Sequence, residues 1–552
     1  MTNSFSPYNL PSEKKLAKHF NKIKNTKIKD LFEKDHRRFE KFSIKNGDLF
    51  TDYSKNLITE KTLELLLQFA DQSGLKQAIE DMFCGEKINV TEQRAVLHTA
   101  ARSVLTKENP ITSDGEEITA GLRKIFEKMA SFTKEITNGT RKGSTGKAFT
   151  HIINIGIGGS ELGPKLLVSA LKTFGNKNLK IKFISSPDPS HTKEILKQAN
   201  PEATLFIIVS KSFTTKETLI NYKAARKWLL NSGIKKKNLN KHFAAVSENK
   251  KEALNSGILP DYLFKTEKFI NGRCGIWSGA GLCPCILLGA DLFADFLSGA
   301  YEIDNSFRHS PFEKNLPVIL GLIDIWHRNF FKTATWAIFP YEQALANLPF
   351  YVAQLCMESN GKSVNRQGEK INYASAPIVW GMPAPNAQHS CFQSLHQGTN
   401  LAPIDLLSPA LAQNGEKNAE ILAANHFAQA EVLMNGASDN EIYKTGASKN
   451  FIKQTAAHKT LRGNRPSISF IYKKLTPKLL GKLIATYEHR IFVQGILWNI
   501  FSFDQWGVEA GKRMADKILS ALTEPKQDEK QKLNSSTAGL INIFKRFQSD
   551  EL

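Results

Sequence analysis

HIINIGIGGSELGPKLLVSALKTF, residues 151–174, decides the fold. A short apolar run rich in β-branched residues (151–158) gives way to small residues, GSELGP, and then to an amphipathic stretch. Strand, glycine-rich turn and helix open a βαβ unit. The pattern then repeats downstream. KIKFISS (180–186) precedes the helical HTKEILKQA, and TLFIIVS (204–210) precedes a Ser/Thr loop and the helix TLINYKAARKWLL. KHFAAVSE (241–248) is a fourth strand. Strands separated by helices of about ten residues predict a parallel sheet.

A second α/β unit follows. LPVILGLIDIWHRNFF reads as helix, TATWAIFP as strand, ALANLPFYVAQLCMES as helix and APIVW (376–380) as strand. Further on, LTPKLLGKLIATYEHRIFVQGILWNIF starts a helix with Thr476 as N-cap and Pro477 in its first turn. The first 115 residues read as helical and charged. LITEKTLELLLQFADQSGLKQAIEDMF repeats apolar residues at helical spacing with a break at Gly74, and Thr91 to Leu105 reads as another helix. The polar end of the chain contains a short helical segment, INIFKRF. These features predict an α/β fold of two α/β units with parallel-rich sheets, a helical N-terminal region and a C-terminal tail. The expected divisions are 1–115, 116–300, 301–512 and 513–552.

Composition narrows the class. Over 552 residues, 41% hydrophobic and 23% charged is ordinary for a globular protein. No stretch approaches the roughly 18 unbroken apolar residues of a membrane span. The opening MTNSFSPYNLPSEKKLAKHF lacks the apolar core of a secretory signal. Six cysteines are too sparse for a disulfide framework, so a cytoplasmic setting is expected. The net charge of +21 reads as a solvated basic surface, with lysine runs such as Lys235–Lys237. No aromatic-plus-basic module points to nucleic acid. Cys283 and Cys285 have no second Cys/His pair at zinc-binding spacing and read as small buried residues.

Ligands in open parallel sheets bind where strand ends lead into helices. Two such loops suit an anion. Gly156-Ile157-Gly158-Gly159-Ser160 lets a ligand approach backbone N–H groups at a helix start, and it matches neither a P-loop nor G-x-G-x-x-G. Ser210-Lys211-Ser212-Phe213-Thr214-Thr215 packs four hydroxyls and a lysine onto the next strand end. Gln354 and Glu358 share one helix face at i, i+4, and Glu358 lies near the helix end, where a carboxylate suits a general base. His389, in Asn386-Ala387-Gln388-His389-Ser390, falls in a loop after APIVW and can donate a proton near neutral pH.

With these residues in view, the chain resembles the phosphoglucose isomerase family. GILWNIFSFDQWGVEAGK (495–512) is similar to that family's C-terminal signature. GIGGSELGP, SKSFTTKET, MESNGK, the NAQH loop, LHQGT and HKTLRGNRP follow the family's landmarks in order, so the resemblance runs from about Arg94 to Lys512. It implies a fold of two α/β/α sandwich domains and reversible isomerisation of glucose 6-phosphate and fructose 6-phosphate through a cis-enediol(ate), without metal or other cofactor, in a homodimer with shared active sites. By this resemblance Gly159 and Ser160 lie beside the sugar phosphate, and Ser210, Lys211, Ser212, Thr214 and Thr215 form the phosphate cup. Glu358 matches the base, Arg273 the arginine facing the enediolate, and His389 the residue assisting ring opening from the neighbouring subunit. Lys512 matches a basic residue near the ring oxygen, with Gln505 and Gln354 nearby.

Two segments depart from the family's pattern. Asn271-Gly272-Arg273-Cys274-Gly275 stands where Gly-Gly-Arg, an aromatic and Ser are usual, which bears on the rigidity of that loop. Ala384-Pro385 stands where Gly and Thr are usual. Competing readings are an aminosugar-phosphate isomerase, which would carry a glutamine-hydrolysing Cys domain, and a sugar-phosphate sensor, which would carry a helix-turn-helix domain. A dinucleotide-dependent dehydrogenase is disfavoured by the missing fingerprint.

Overall fold

The computed structural model describes residues 5–106, 111–113, 115–413, 415, 417–437, 455–523 and 533–549. The chain divides into two compact units, Met1–Ser502 and Phe503–Leu552. In the larger unit the strands are β1 (Ser43–Asn46), β2 (Leu49–Asp52), a minute hairpin of β3 (Thr112–Ser113) and β4 (Glu116–Glu117), β5 (His151–Ile155), β6 (Lys180–Ile184), β7 (Thr204–Val209), β8 (Phe243–Ser247), β9 (Leu263–Lys265), β10 (Thr335–Pro340), β11 (Ile378–Gly381), β12 (Ile404–Pro409) and β13 (Ser467–Tyr472).

Two sheets carry the fold. The first runs β6-β5-β7-β8-β9 and is parallel throughout. The second runs β1-β2-β13-β12-β10-β11; its last four strands are parallel, and β2 joins β13 antiparallel. Every residue of β7 and of β12 is buried, as strands covered by helices on both faces must be. This is the expected α/β architecture with parallel-rich sheets.

Several sequence readings are corrected in detail. The strand at 151 ends at Ile155, because Gly156 turns the chain out of the sheet. Thr91–Leu105 is not a helix. Gln93 takes a left-handed φ of 52°, Asn89 bridges Arg94, and only two short 3-10 turns remain. The apolar residues of this stretch are instead threaded into the core, with the Leu97 N–H donating to the Phe269 carbonyl at 3.0 Å. The helical N-terminal region also contributes the β1–β2 hairpin to the second sheet. Strands β12 (IDLLSP) and β13 (SISFIY) hide in sequence because buried Asp405 and Ser469 interrupt their apolar pattern.

Other signals hold. Helices Glu60–Gln72 and Leu75–Cys84 part at Gly74, whose φ of 72° is cheap only for glycine. The Thr476 hydroxyl accepts from the Leu479 N–H at 3.1 Å and starts the helix Pro477–Leu497, which is buried almost end to end. That rod packs against Ala290–His309 and Leu316–Ile325. Its Arg490 is fully buried between Asp324 and Asp405, at 2.6 Å from each. Removing one member of such a network would strand a buried charge. The first crossover helix of one sheet, Leu162–Ala170, packs against that of the other, Leu348–Asn360, and this contact brings the site together. No helix among the described residues is long and apolar enough to cross a membrane.

The smaller unit is built of helices Trp506–Thr523 and Ser535–Ser549; Lys545 Nζ donates to the Ala521 carbonyl at 2.9 Å. The expected helical segment INIFKRF lies inside the second of these, while 524–532 of the polar stretch before it lies outside the described residues.

Candidate active site

Strand order locates the crevice. From β5 the chain crosses to β6 on one side and then returns to β7 on the other, so the ends of β5 and β7 form a topological switch point. The two loops singled out from sequence, Gly156–Ser160 and Ser210–Thr215, are the loops leaving β5 and β7.

The glycine loop is shaped by close approach. Gly158 has φ 61°, and a side chain on Gly159 would run into the Gly272 carbonyl and the Arg273 backbone nitrogen. Glycine there lets the Gly272–Trp277 segment lie against the loop, so Arg273 comes to the switch point from outside the sheet. Asn154 Nδ2 donates to the Ser160 carbonyl at 3.1 Å and ties the turn to β5. The departures around Arg273 do not leave its loop loose: Asn271 and residues 273–277 are buried in a 3-10 turn.

The second loop bends sharply at Phe213, a buried non-glycine residue with φ 55°. A left-handed aromatic residue is uncommon and marks a loop held by its surroundings. Phe213 and Thr214 donate their N–H groups to Ser210 Oγ (3.1 Å) and Ser212 Oγ (3.3 Å). The hydroxyls of Ser212 and Thr214 meet at 2.7 Å, and Ser210 Oγ lies 3.4 Å from Thr215 Oγ1. Helix Lys216–Asn231 begins at once, and its N-cap Thr215 makes no side-chain cap bond. Converging hydroxyls at a helix N-terminus suit a tetrahedral anion. Lys211 Nζ reaches the carbonyls of Lys268 and Ile270, 3.3 Å each; burial lowers its pKa, opposed by Glu248.

Helix Leu348–Asn360 brings the second sheet's contribution. Gln354 Nε2 lies 3.4 Å from where a side chain on Gly158 would begin. One turn later, Glu358 Oε1 is 3.4 Å from Arg273 Nη1, with Arg273 2% and Glu358 21% exposed at the side chain. Gln354 Oε1 and Glu358 Oε2 are both buried, and neither has a hydrogen-bond partner among the described residues. Two such acceptors, one helical turn apart, ask for donors that the described residues do not supply.

Sequence reasoning missed the residues that hold Arg273. Its Nε donates to Ser359 Oγ at 2.9 Å and Nη2 to the Ser502 carbonyl at 3.0 Å. Tyr351 Oη donates to the Arg273 carbonyl at 3.1 Å and to Glu488 at 3.0 Å. A signal existed: 351, 354 and 358 fall on one helix face, and Ser359 is the neighbour of Glu358.

Not every expected residue joins this group. His389 follows the short helix Ala384–Gln388, formed where a loop was expected. It is exposed, and among the described residues its ring has no partner within the chain. Gln388 Nε2 fixes that turn by donating to Tyr341 Oη at 3.1 Å. Gln505 and Lys512 belong to the smaller unit, where Lys512 Nζ pairs with Glu509 at 2.8 Å.

Three buried groups beside the site, His98, Cys274 and Glu488, place ligand atoms within 4.8 Å of one another. They fit a metal ion poorly. Glu488 already pairs with Arg102 and accepts from Trp277 and Tyr351. Burial pushes the Cys274 thiol up to about 11, and burial with the adjacent Arg102 and Arg273 pushes His98 well down. A cation there would sit among fixed positive charges. Cys283 and Cys285 are buried, as expected from sequence.

Fold and site together define a doubly wound α/β protein in which the glycine loop after β5 lies beside a carboxylate–guanidinium pair. The family model described as phosphoglucose isomerase matches residues 52–541, and the chain belongs to that family. It is 42% identical over 555 residues to a glucose-6-phosphate isomerase of Desulforapulum autotrophicum, covering 100% of this chain and 99% of the relative. It is 44% identical over 546 residues to one of Christiangramia forsetii, covering 98% and 99%. The crystal structure of a glucose-6-phosphate isomerase from Chlamydia trachomatis superposes with a TM-score of 0.85 at 29% identity, covering 98% of this chain and 99% of that one.

Proposed function

We propose that this protein interconverts glucose 6-phosphate and fructose 6-phosphate, an aldose–ketose isomerisation serving glycolysis and gluconeogenesis. The observation that carries the reading is the Glu358–Arg273 pair beside the switch-point loops. The two sugars share a cis-enediol(ate), so one carboxylate can take a proton from C2 and return it to C1. No electrons leave the sugar, and the chemistry calls for a base, a fixed cation and a grip on the phosphate. Ser210, Lys211, Ser212, Thr214 and Thr215, with Gly159 and Ser160, grip the phosphate and so bring C1 and C2 to Glu358. Arg273, a fixed guanidinium, stabilises the oxygen that becomes negative. Gln354 Oε1 accepts from a sugar hydroxyl.

Ring opening needs a proton donor to the ring oxygen. In this reading His389 supplies it to the site of a partner subunit, with Lys512 and Gln505 near the ring oxygen. The exposure and unpaired ring of His389 support a role outside its own chain. The protein would then be a homodimer with shared sites.

The test is a coupled assay on purified protein with fructose 6-phosphate, before and after chelation. Turnover surviving chelation is expected; no turnover on either sugar phosphate would refute the activity. Mixing His389→Ala with Glu358→Gln subunits should regenerate activity in verified heterodimers. Persistent inactivity there would place His389 in its own chain's site or in none.

A further inference from the structure

The distance between base and cation is controlled. At 3.4 Å, Arg273 Nη1 stands off from Glu358 Oε1 beyond the ~2.7–2.9 Å of a charge-assisted hydrogen bond. A guanidinium and a carboxylate left alone form a bidentate fork using both oxygens. Here Glu358 Oε2 stays without a hydrogen-bond partner among the described residues. The reason is visible at the other edges of the guanidinium. Nε is held by Ser359 Oγ at 2.9 Å and Nη2 by the Ser502 carbonyl at 3.0 Å.

These holders are themselves anchored. Ser502 Oγ donates to Asn360 Oδ1 at 2.6 Å, and Asn360 Nδ2 donates to the Ile491 carbonyl at 2.9 Å on the buried rod Pro477–Leu497. Gly495 on that rod leaves no room for a side chain against Ser502 Oγ. Glu358, Ser359 and Asn360 therefore act as a unit: the first faces the cation, the second grips it, and the third fixes both to the core.

We infer that Ser359 is a positioning residue that holds Arg273 back from Glu358, keeping one carboxylate oxygen open for the proton it must carry. This rests on the isomerase reading. Without the Ser359 hydroxyl, Nε is released and the guanidinium rotates onto Glu358. The carboxylate is then occupied by the cation and the cation is turned from the substrate oxygen, while the phosphate loops are untouched.

Ser359→Ala and Ser359→Thr are compared with wild type by steady-state kinetics, and the alanine variant is also examined by crystallography. In Ser359→Ala, kcat is expected to fall about 10- to 100-fold, as for a small misplacement of a catalytic group, with KM within about threefold. Ser359→Thr, which keeps the hydroxyl, recovers most of kcat. The crystal structure of the alanine variant shows two nitrogens of Arg273 on Glu358. A kcat within about twofold of wild type in Ser359→Ala, equal losses in both variants, or an unmoved guanidinium would overturn the inference. An inactive wild type would instead refute the isomerase reading, and the crystal structure would still decide whether Ser359 sets the stand-off.

Discussion

The two sheets are wound alike but finished differently at their switch points. In the first, the chain leaves β5 for β6 and returns to β7; in the second, it leaves β10 for β11 and returns to β12. The first crevice is edged by glycines and hydroxyls, and a helix begins there without a side-chain cap. The second is edged by Tyr341 and Glu342, and the turn at Gln343–Leu345 that follows packs against helix Leu162–Ala170. Burial raises the pKa of Glu342 from 4.5 to about 7, with Tyr472 Oη donating to its carboxylate at 3.0 Å. A fold of this kind offers an anion site twice. Loop chemistry distinguishes them: hydroxyls and glycines suit a phosphate, and the carboxylate of Glu342 does not. What the second sheet contributes is the helix carrying Glu358.

The largest effect should come from separating that helix's chemistry from the first crevice's grip. Glu358→Gln keeps the shape but not the basicity, so turnover should fall about 10²- to 10⁴-fold. Sugar-phosphate affinity should persist in calorimetry, and exchange of the C2 hydrogen with solvent should stop. Turnover within a few-fold of wild type would make Glu358 an ordinary helix-end carboxylate. Ser210→Ala with Thr215→Ala sharpens the contrast from the other side. Each hydrogen bond lost to a charged phosphate is worth about 1.5–3 kcal/mol, so KM should rise at least tenfold while kcat changes little. An unchanged KM would remove the cup assignment.

The smallest effect is expected at the second crevice. A carboxylate raised in the folded state favours its protonated form, so its contribution is whole below 4.5 and is lost as pH rises through about 7. Glu342→Gln escapes that loss. It should be more stable than wild type at pH 8, by up to about 3 kcal/mol, and nearly equal to it at pH 4. Denaturant melts at both pH values, alongside unchanged KM and kcat, would check this.

How much of this was legible in sequence depended on how locally each feature is encoded. The strands β5 to β8 and the loops after β5 and β7 were readable because apolar runs, glycines and hydroxyls announce themselves within a few residues. Glu358 and Gln354 were readable from helical spacing. Strands β12 and β13 were not, because buried polar residues break their apolar runs, some held by partners far away, such as Asp405 by Arg490 and Ser469 by His426. The helical reading of Thr91–Leu105 failed where tertiary packing overrode a genuine periodicity. Ser359 and Ser502 were invisible as holders of Arg273, since nothing local to residue 273 points to residue 502.

The hairpin β1–β2 has a consequence for the birth of the protein. Its inner strand pairs with β13, Asp52 opposite Ser469 and Leu49 opposite Tyr472. A strand made near the start of the chain must therefore wait for the strand made last. Ribosomes add about 5–20 residues per second, so the delay is on the order of tens of seconds. The first sheet draws its strands from 151–265 and can close meanwhile. Until β13 emerges, the nascent chain carries an early hairpin with an open edge, the kind of surface that chaperones exist to shield.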